Sequence, residues 1–550
     1  MKLNRFLILA IAGSALTACN EINELEPQGF ALSQEQVNNT YYAIPKRIEA
    51  TFSGMFTMMG EPNAVFGASR ADDFGFIMSA ISQDIEAADI VYPNSGYNWF
   101  NVCGEYTSRN ADYANPYVRY ATPYNQIKNA NDILKAYAGR EDAPAVNIIA
   151  QTRTIRAFDY LALAPYFQFK YVGNEDKPCV PKVTEETTDF ANNPRATVKE
   201  IYDLILSDLN YAVENLTVAR VSKARINKTV ALGLRARVYM NMEKWAEAAA
   251  DAQAALDLCK EEGLSPATAN DLTAPAFYDI NDKNWVWGFD MTESLANKGY
   301  ATAASWISSF SSNGYAPATQ VYACINELLY NKISDSDVRK GWWVDRNLHS
   351  PLLENAGWPD PNQPGKIIKG DAIATLVIPN VKLAYLPYTN VKFGLPVIGS
   401  DKNDSDFPFM RVEELILIKA EALAKSGNEN GATATLNDFV KTYRDPEYNA
   451  SASGRSLADE IWFQRRVELW GEGFAFSDAM RLGKPIVRFH DQGKGNVPDA
   501  YRFNIDPSDP WLLMRFPIKE TNSNSSIVNN TGGKVPEMYQ NATLRDGVTD

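Results

Sequence analysis

Apolar positions along this chain recur with the period of a helix far more often than with the period of a strand. Tyr117 to Tyr137 and Ile148 to Phe169 are two such stretches. Thr197 to Leu216 is a third, opened by Pro194 and Thr197 and carrying Ile201, Leu204, Ile205 and Leu209 on one face. Asn227 is the expected N-cap of a helix over Lys228 to Tyr239, and after a short break Trp245 to Leu256 supplies a second helix. Seven alanines from Ala246 to Ala255 give that second helix a small-residue face, which allows close approach of two axes. Arg411 to Ser426, the stop Gly427 and Ala432 to Tyr443 repeat the arrangement. Leu436, Phe439, Val440 and Tyr443 form one stripe there, while the preceding helix is apolar around most of its circumference and predicts cover on both sides. Stacked helical hairpins give such cover.

The unit of helix, short turn and alanine-rich helix, with Tyr239 and Trp245 flanking the turn, resembles a tetratricopeptide repeat, although the copies are too diverged for a regular array. Between the two pairs, from about residue 263 to 407, the pattern is lost. This stretch is rich in Trp, Tyr, Asn, Gly and Pro, with helical periodicity only in pieces such as Gln320 to Tyr330 and extended runs at Trp285 to Phe289 and Ala374 to Ile378. The predicted fold is mostly α: diverged tetratricopeptide-like hairpins form a scaffold that carries a large irregular insertion with a few short strands.

The N-terminus reads differently. Lys2 and Arg5 precede the apolar run Phe6 to Ala12, and Leu16-Thr17-Ala18-Cys19 follows, the layout of a bacterial lipoprotein signal. The run is shorter than the roughly 20 apolar residues that span a bilayer. We therefore expect residues 1–18 to be removed, Cys19 to carry lipid, residues 19–30 to form a polar tether, and residues 31–550 to form one body. Two acyl chains on one cysteine suffice for stable anchoring.

Composition adds exclusions. The chain has 53 basic and 67 acidic residues, a net charge of -14, which argues against nucleic acid as a partner. Cys103, Cys179, Cys259 and Cys324 show no metal-ligand spacing and allow at most two disulfides. His349 and His490 are the only histidines, so histidine-based catalysis and zinc are poorly supplied. Glu413 and Glu414 are adjacent on a helix and point apart, unlike the paired carboxylates of a glycosidase. No Gly-x-Ser-x-Gly elbow, His-Glu-x-x-His helix or phosphate-binding glycine loop occurs, and the chain is not expected to be an enzyme or to need a cofactor. The spacing of Asp401, Asp404 and Asp406 is calcium-like, but a solvated loop is the preferred reading of it.

Arg156-Ala-Phe-Asp-Tyr-Leu-Ala-Leu-Ala-Pro-Tyr166 resembles a helix shared by SusD/RagB-like proteins, outer-membrane nutrient-binding lipoproteins of Bacteroidetes. The pair from Asn227 to Leu256, the helix Arg411 to Lys425, the run Ile461 to Gly473 with Asp478-Ala-Met-Arg481, and Phe516-Pro-Ile-Lys-Glu520 with Asn524 agree in the same order. With the lipoprotein signal they span the chain. Lys519 departs from the more usual Pro-Ile-Pro, and Gly471 from a more usual polar residue; these are scaffold motifs, and neither departure is expected to touch ligand binding. Arg465, Arg466, Glu468, Glu472, Asp478 and Arg481 are expected to lock helix ends together.

The resemblance implies a non-catalytic lid on the cell exterior that captures an oligosaccharide and passes it to a SusC-like TonB-dependent transporter. A peptide-binding lid of a peptide transporter is the alternative. A sugar offers a C–H face for Trp or Tyr and hydroxyls for amides and carboxylates. Tyr97, Asn98, Trp99 and Asn101 make one such mixture; Tyr300, Trp306 and Tyr315 make a second, and Asp72 and Asp73, preceded by Arg70, lie upstream. Of these, Trp99 and Trp306 are the expected stacking platforms and Asn98, Asn101 and Asp73 the expected hydroxyl partners. Trp342, Trp343 and Trp358 are further exposed-aromatic candidates.

Overall fold

The computed structural model describes residues 45–67, 70–93, 99–314, 322–376 and 384–550. Cys19 and the tether lie outside them, as do Tyr97, Asn98 and Tyr315. The long helices are α1 Pro45–Met58, α2 Gly75–Glu86, α3 Ala114–Ala136, α4 Ala143–Phe167, α5 Val198–Asn215, α6 Lys228–Asn241, α7 Trp245–Glu261, α8 Val412–Lys425, α9 Glu429–Tyr443, α10 Leu457–Glu468 and α11 Ala475–Leu482. Local chemistry starts several of them. Thr197 and Glu200 form a reciprocal capping box at α5, and the Asn227 and Asp142 side chains accept from the first turns of α6 and α4.

From α3 to α7 each helix packs on the next, as a stack of antiparallel hairpins requires. The stack continues from α7 to α8 although some 150 residues separate them in sequence. Ala236, Ala248, Ala252 and Ala422 close the contact among α6, α7 and α8, where small side chains let the axes approach. Helix α8 is buried around most of its surface because α7, α9 and α10 all pack on it.

The loop-rich insertion leaves the stack after α7 and returns just before α8. Strand β1, Trp285–Phe289, pairs antiparallel with β2, Phe407–Arg411, so the two ends of the excursion are hydrogen-bonded together. Two-residue pairings hold the rest: Ile90–Val91 with Cys324–Ile325, and Trp358–Pro359 with Ile367–Ile368. Two expectations change here. Residues 320–321 of the helical piece expected from Gln320 to Tyr330 lie outside the described residues, and the described part is helical for one turn, Glu327–Tyr330, because Cys324 and Ile325 pair as strand. Ala374, expected to open a strand, instead ends a helical turn begun at Asp371, and residues 377–378 of that run lie outside the described residues. The four cysteines are buried separately as free thiols.

Ionic contacts fasten the insertion to the scaffold. The Glu468 carboxylate at the end of α10 accepts from Arg444 at 2.8 and 2.9 Å, from Arg411 at 3.1 Å and from Arg339 of the insertion at 3.3 Å. All four side chains are fully buried. Burial alone would raise the Glu468 carboxyl, but the three guanidiniums hold it well below the usual carboxylate range. The Lys392 ammonium donates to the carbonyls of Glu468 and Trp470 and to Glu472. Burial pulls it down to about 8. Arg466 reaches back to Asp89 at 2.6 Å and forward to Asp546 at 2.9 Å, and Asp84 accepts the N–H groups of Gly471, Gly473 and Ala475. Arg465 and Arg481 share Asp478. These charged side chains therefore join helix ends, as the sequence suggests, and also tie in the insertion and both ends of the described chain.

One buried carboxyl has no such company. Asp159 on α4 is fully enclosed, neither oxygen has a hydrogen-bond partner, and burial pushes its carboxyl well above the usual range.

Glu468→Gln leaves three buried guanidiniums undercompensated, so denaturant unfolding should show a loss of about 3–5 kcal/mol. Asp159→Asn should act oppositely. A carboxyl that binds its proton more tightly folded than unfolded opposes folding once pH exceeds its unfolded value near 3.9. The Asn variant should therefore be more stable than the parent at pH 7, with the difference shrinking towards pH 4 in thermal melts.

Candidate ligand-binding face

The turn between α1 and α2 begins the candidate site. Gly75 has φ +64°, and a Cβ there would lie 2.5 Å from the Met59 carbonyl oxygen, so only glycine lets the Phe76 N–H reach that oxygen at 2.8 Å. Asp73 then folds the loop around itself. Its carboxylate accepts from the Val65 N–H at 3.0 Å and the Phe66 N–H at 2.8 Å, and its carbonyl accepts from the Asn63 N–H. Asp73 is fully buried, and burial pushes its carboxyl up against the pull of these N–H donors. The role expected for Asp73 as a hydroxyl partner is corrected: its oxygens are engaged by the loop they shape. Asp72 is likewise enclosed and pairs with Arg70 at 2.8 Å.

Fixing this loop places Phe66 outward, 38% exposed, and lays the Arg70 guanidinium 4.5 Å from the ring centre of Trp99 and 5.2 Å from that of Phe66. Trp99 is partly exposed at the start of the segment whose next residue, Phe100, is buried. Asn101 follows, opening a one-turn helix, and its Oδ1 accepts from the Tyr501 hydroxyl at 2.8 Å. Trp99 and Asn101 thus stand two residues apart at the start of one short helical turn.

The insertion closes the other side of the loop. Lys298 pairs with Glu61, its carbonyl accepts from the Asn63 amide, and the Trp306 indole N–H donates to the Ala71 carbonyl at 2.6 Å. Trp306 is fully buried and meets Phe100 edge to face at 4.7 Å. It therefore cannot be a stacking platform for a ligand; it is the peg that seats the insertion on the loop. Tyr300, 43% exposed, donates its hydroxyl to the Asn313 Oδ1 at 3.1 Å. Trp342, Trp343 and Trp358 are buried too, the first two within a ring cluster that includes Trp470, so their candidacy as exposed rings also ends.

The last contribution comes from far along the chain. The Ile518 N–H bonds to the Ala111 carbonyl and starts a one-turn helix, Ile518–Ser523. That turn carries the Lys519 ammonium over the rings of Tyr117, at 4.4 Å, and Phe66, at 5.8 Å, which meet each other edge to face at 5.6 Å. A row results: Trp99, Arg70, Phe66, Lys519 and Tyr117, drawn from four separate segments. Phe66 and Tyr117 carry no signal in the sequence, since neither sits in an amide-rich run. Lys519 does carry one, its departure from the usual Pro.

Other candidate chemistry is absorbed by structure. Glu413 is held by Arg411 and Arg444, and Glu414 by Arg237, all buried or nearly so. In the acidic loop after Asp401, the Asp406 carboxylate accepts the Ile280 and Met291 N–H groups. Among the described residues no group of three or more His, Cys, Asp and Glu is placed to hold a metal. A cavity of ≈ 130 Å³ lies in the helical scaffold between Phe76, Phe158, Tyr166, Arg237, Phe474 and Arg481, its arginines engaged by Glu414, Glu421 and Asp478.

Two family models match the chain: one described as "Starch-binding associating with outer membrane" over residues 72–240, and one described as "SusD family" over residues 281–542. Among curated relatives, a SusD-like protein P38 of Formosa agariphila is 22% identical over 506 residues, 88% of this chain and 91% of that one. A solved SusD-like carbohydrate binding protein from Bacteroides vulgatus shares the fold with a TM-score of 0.68 at 22% identity, over 88% of this chain and 97% of that one. A solved laminarin binding SusD-like protein shares it with a TM-score of 0.60 at 18% identity, over 88% and 99% of the two chains.

Asp73→Ala would leave the Val65 and Phe66 N–H groups without their acceptor inside the loop. Unfolding measurements should show a loss of about 1–3 kcal/mol, and limited proteolysis should show earlier cleavage between α1 and α2.

Proposed function

The chain belongs to the SusD/RagB family, and from that premise we propose that it is a lipid-anchored protein of the outer cell surface that captures an oligosaccharide and delivers it to a TonB-dependent transporter. It acts by binding, with no bond made or broken. The observation that carries this reading is the setting of Trp99: a partly exposed indole backed by the Arg70 guanidinium, with the Asn101 amide two residues away on a fixed helical turn. An indole supported in this way offers a flat face to the C–H side of a sugar ring, while amide and hydroxyl groups serve the rim. Tyr300 and Asn313 add a hydroxyl and an amide on the insertion that is fastened to the same loop.

Several observations support the non-catalytic part of the reading. The carboxylates that a hydrolase would need near the platform, Asp72 and Asp73, are enclosed and engaged. Relatives named for carbohydrate binding support the ligand class. The lipid on Cys19 and the tether after it belong to the same proposal, as does the transporter partner: a short polar tether keeps the body close to a membrane protein and raises the effective concentration of one for the other.

Calorimetric titration of the mature protein, starting after Cys19, against neutral and acidic oligosaccharides and mixed peptides tests the reading. Saturable binding of a glycan is expected, weakened about five- to tenfold in Trp99→Ala by loss of about 1–1.5 kcal/mol of ring contact. Binding of peptides alone would replace the glycan with a peptide cargo, and glycan binding indifferent to Trp99→Ala would move the site elsewhere.

A further inference from the structure

The charges on the candidate face are arranged asymmetrically. The carboxylates of the Arg70 loop, Asp72 and Asp73, are fully buried, whereas the cations of the row, Arg70 and Lys519, reach the surface. Arg70 bonds to Asp72 through Nη2. Lys519 makes no ion pair among the described residues. The nearby carboxylates do not serve it: Glu520 is turned to the Asn524 amide and the Tyr120 hydroxyl, Glu61 is paired with Lys298, and Asp112, next to the Ala111 that anchors this turn, makes no ion pair with it. Instead the Lys519 ammonium rests on the electron-rich faces of Phe66 and Tyr117. Such a contact steadies the long side chain and leaves its charge in place. The Arg70 guanidinium lies 5.2 Å from the centre of the same Phe66 ring and 4.5 Å from that of Trp99.

Position and net charge sharpen the point. A protein of net charge -14 repels polyanions at long range, and in physiological salt that repulsion is screened over about 8 Å. Within that distance a local pair of surface cations decides which ligands are tolerated. A neutral sugar needs rings and amides, which this face already has in Trp99 and Asn101. It has no use for an ammonium without a counter-ion mounted on two rings.

We propose that this face selects an acidic glycan, one whose sugars carry carboxylate or sulfate groups, with Lys519 as the residue that reads the negative charge and Phe66 and Tyr117 as the rings that hold it in position. The inference rests on the glycan reading above and names the ligand class for that site. Arg70 is the second contact, placed so that one ring of the ligand over Trp99 and an acidic group over Phe66 are met together.

The test is titration of the mature protein with three probes: oligogalacturonate for carboxylate, a sulfated carrageenan oligosaccharide for sulfate, and a neutral laminarin oligosaccharide. Each is measured at low and high salt, with the parent and with Lys519→Met, which removes the charge and keeps the stem. One acidic probe is expected to bind more tightly than the neutral one, to weaken as salt rises, and to lose about three- to fivefold in Lys519→Met, the size of one exposed ion pair. Which acidic probe wins identifies the group. Neutral glycan bound as tightly as both acidic probes, or acidic binding indifferent to Lys519→Met, would overturn the inference and leave the glycan reading intact. Binding to no glycan, or to acidic peptides alone, would remove both.

Discussion

The fold turns on one buried carboxylate. Glu468 closes α10 and collects guanidiniums from three distant parts of the chain, Arg339 of the insertion, Arg411 at the entrance to α8 and Arg444 beyond α9. A hydrophobic contact among these segments would tolerate sliding; a charge with three fixed partners does not, because any displacement leaves a buried ion unmatched. Its neighbour Glu472 extends the arrangement to Lys392, again from the insertion. Among the described residues the irregular part of the molecule has little regular hydrogen bonding of its own, and this ionic centre, with the β1–β2 pairing and the Trp306 peg, gives it a defined place on the helices.

The scaffold was largely readable from sequence because its signals are local. Caps such as Asn227 and Thr197, the stop at Gly427 and the stripe from Leu436 to Val440 each depend on residues within two helical turns. The insertion was not readable in the same way. The strand pairing of Cys324–Ile325 depends on Ile90–Val91, more than 200 residues earlier, and it overrides a helical pattern in its own sequence. Tertiary partners of that kind leave no periodic trace.

The candidate face shows the same division at smaller scale. Trp99 and Asn101 stand out because aromatics and amides alternate around them, and the structure sets both at the surface side of one support. Trp306, equally prominent in sequence, is enclosed: its indole N–H has found a backbone carbonyl and its ring a phenylalanine edge. Composition identifies an aromatic that has work to do; it does not say whether the ring faces a ligand or the interior. Phe66 and Tyr117 escape notice for the converse reason, since their meaning arises only when the Asp73 loop and the turn at Ile518 bring them together.

Helices α7 and α8 pack directly on one another, and β1 and β2 join the ends of everything between them. The insertion is thus a detachable cassette in topological terms: its two ends leave and re-enter the stack side by side, so its interior can be exchanged without altering the spacing of a single hairpin. Exchange has a condition. An incoming cassette must bring two cations of its own to the places of Arg339 and Lys392, or the carboxylates of α10 and its exit keep only Arg411 and Arg444 as partners. Diversification of such a protein is therefore free in loop length and constrained at two positive charges and at the rings that seat the cassette.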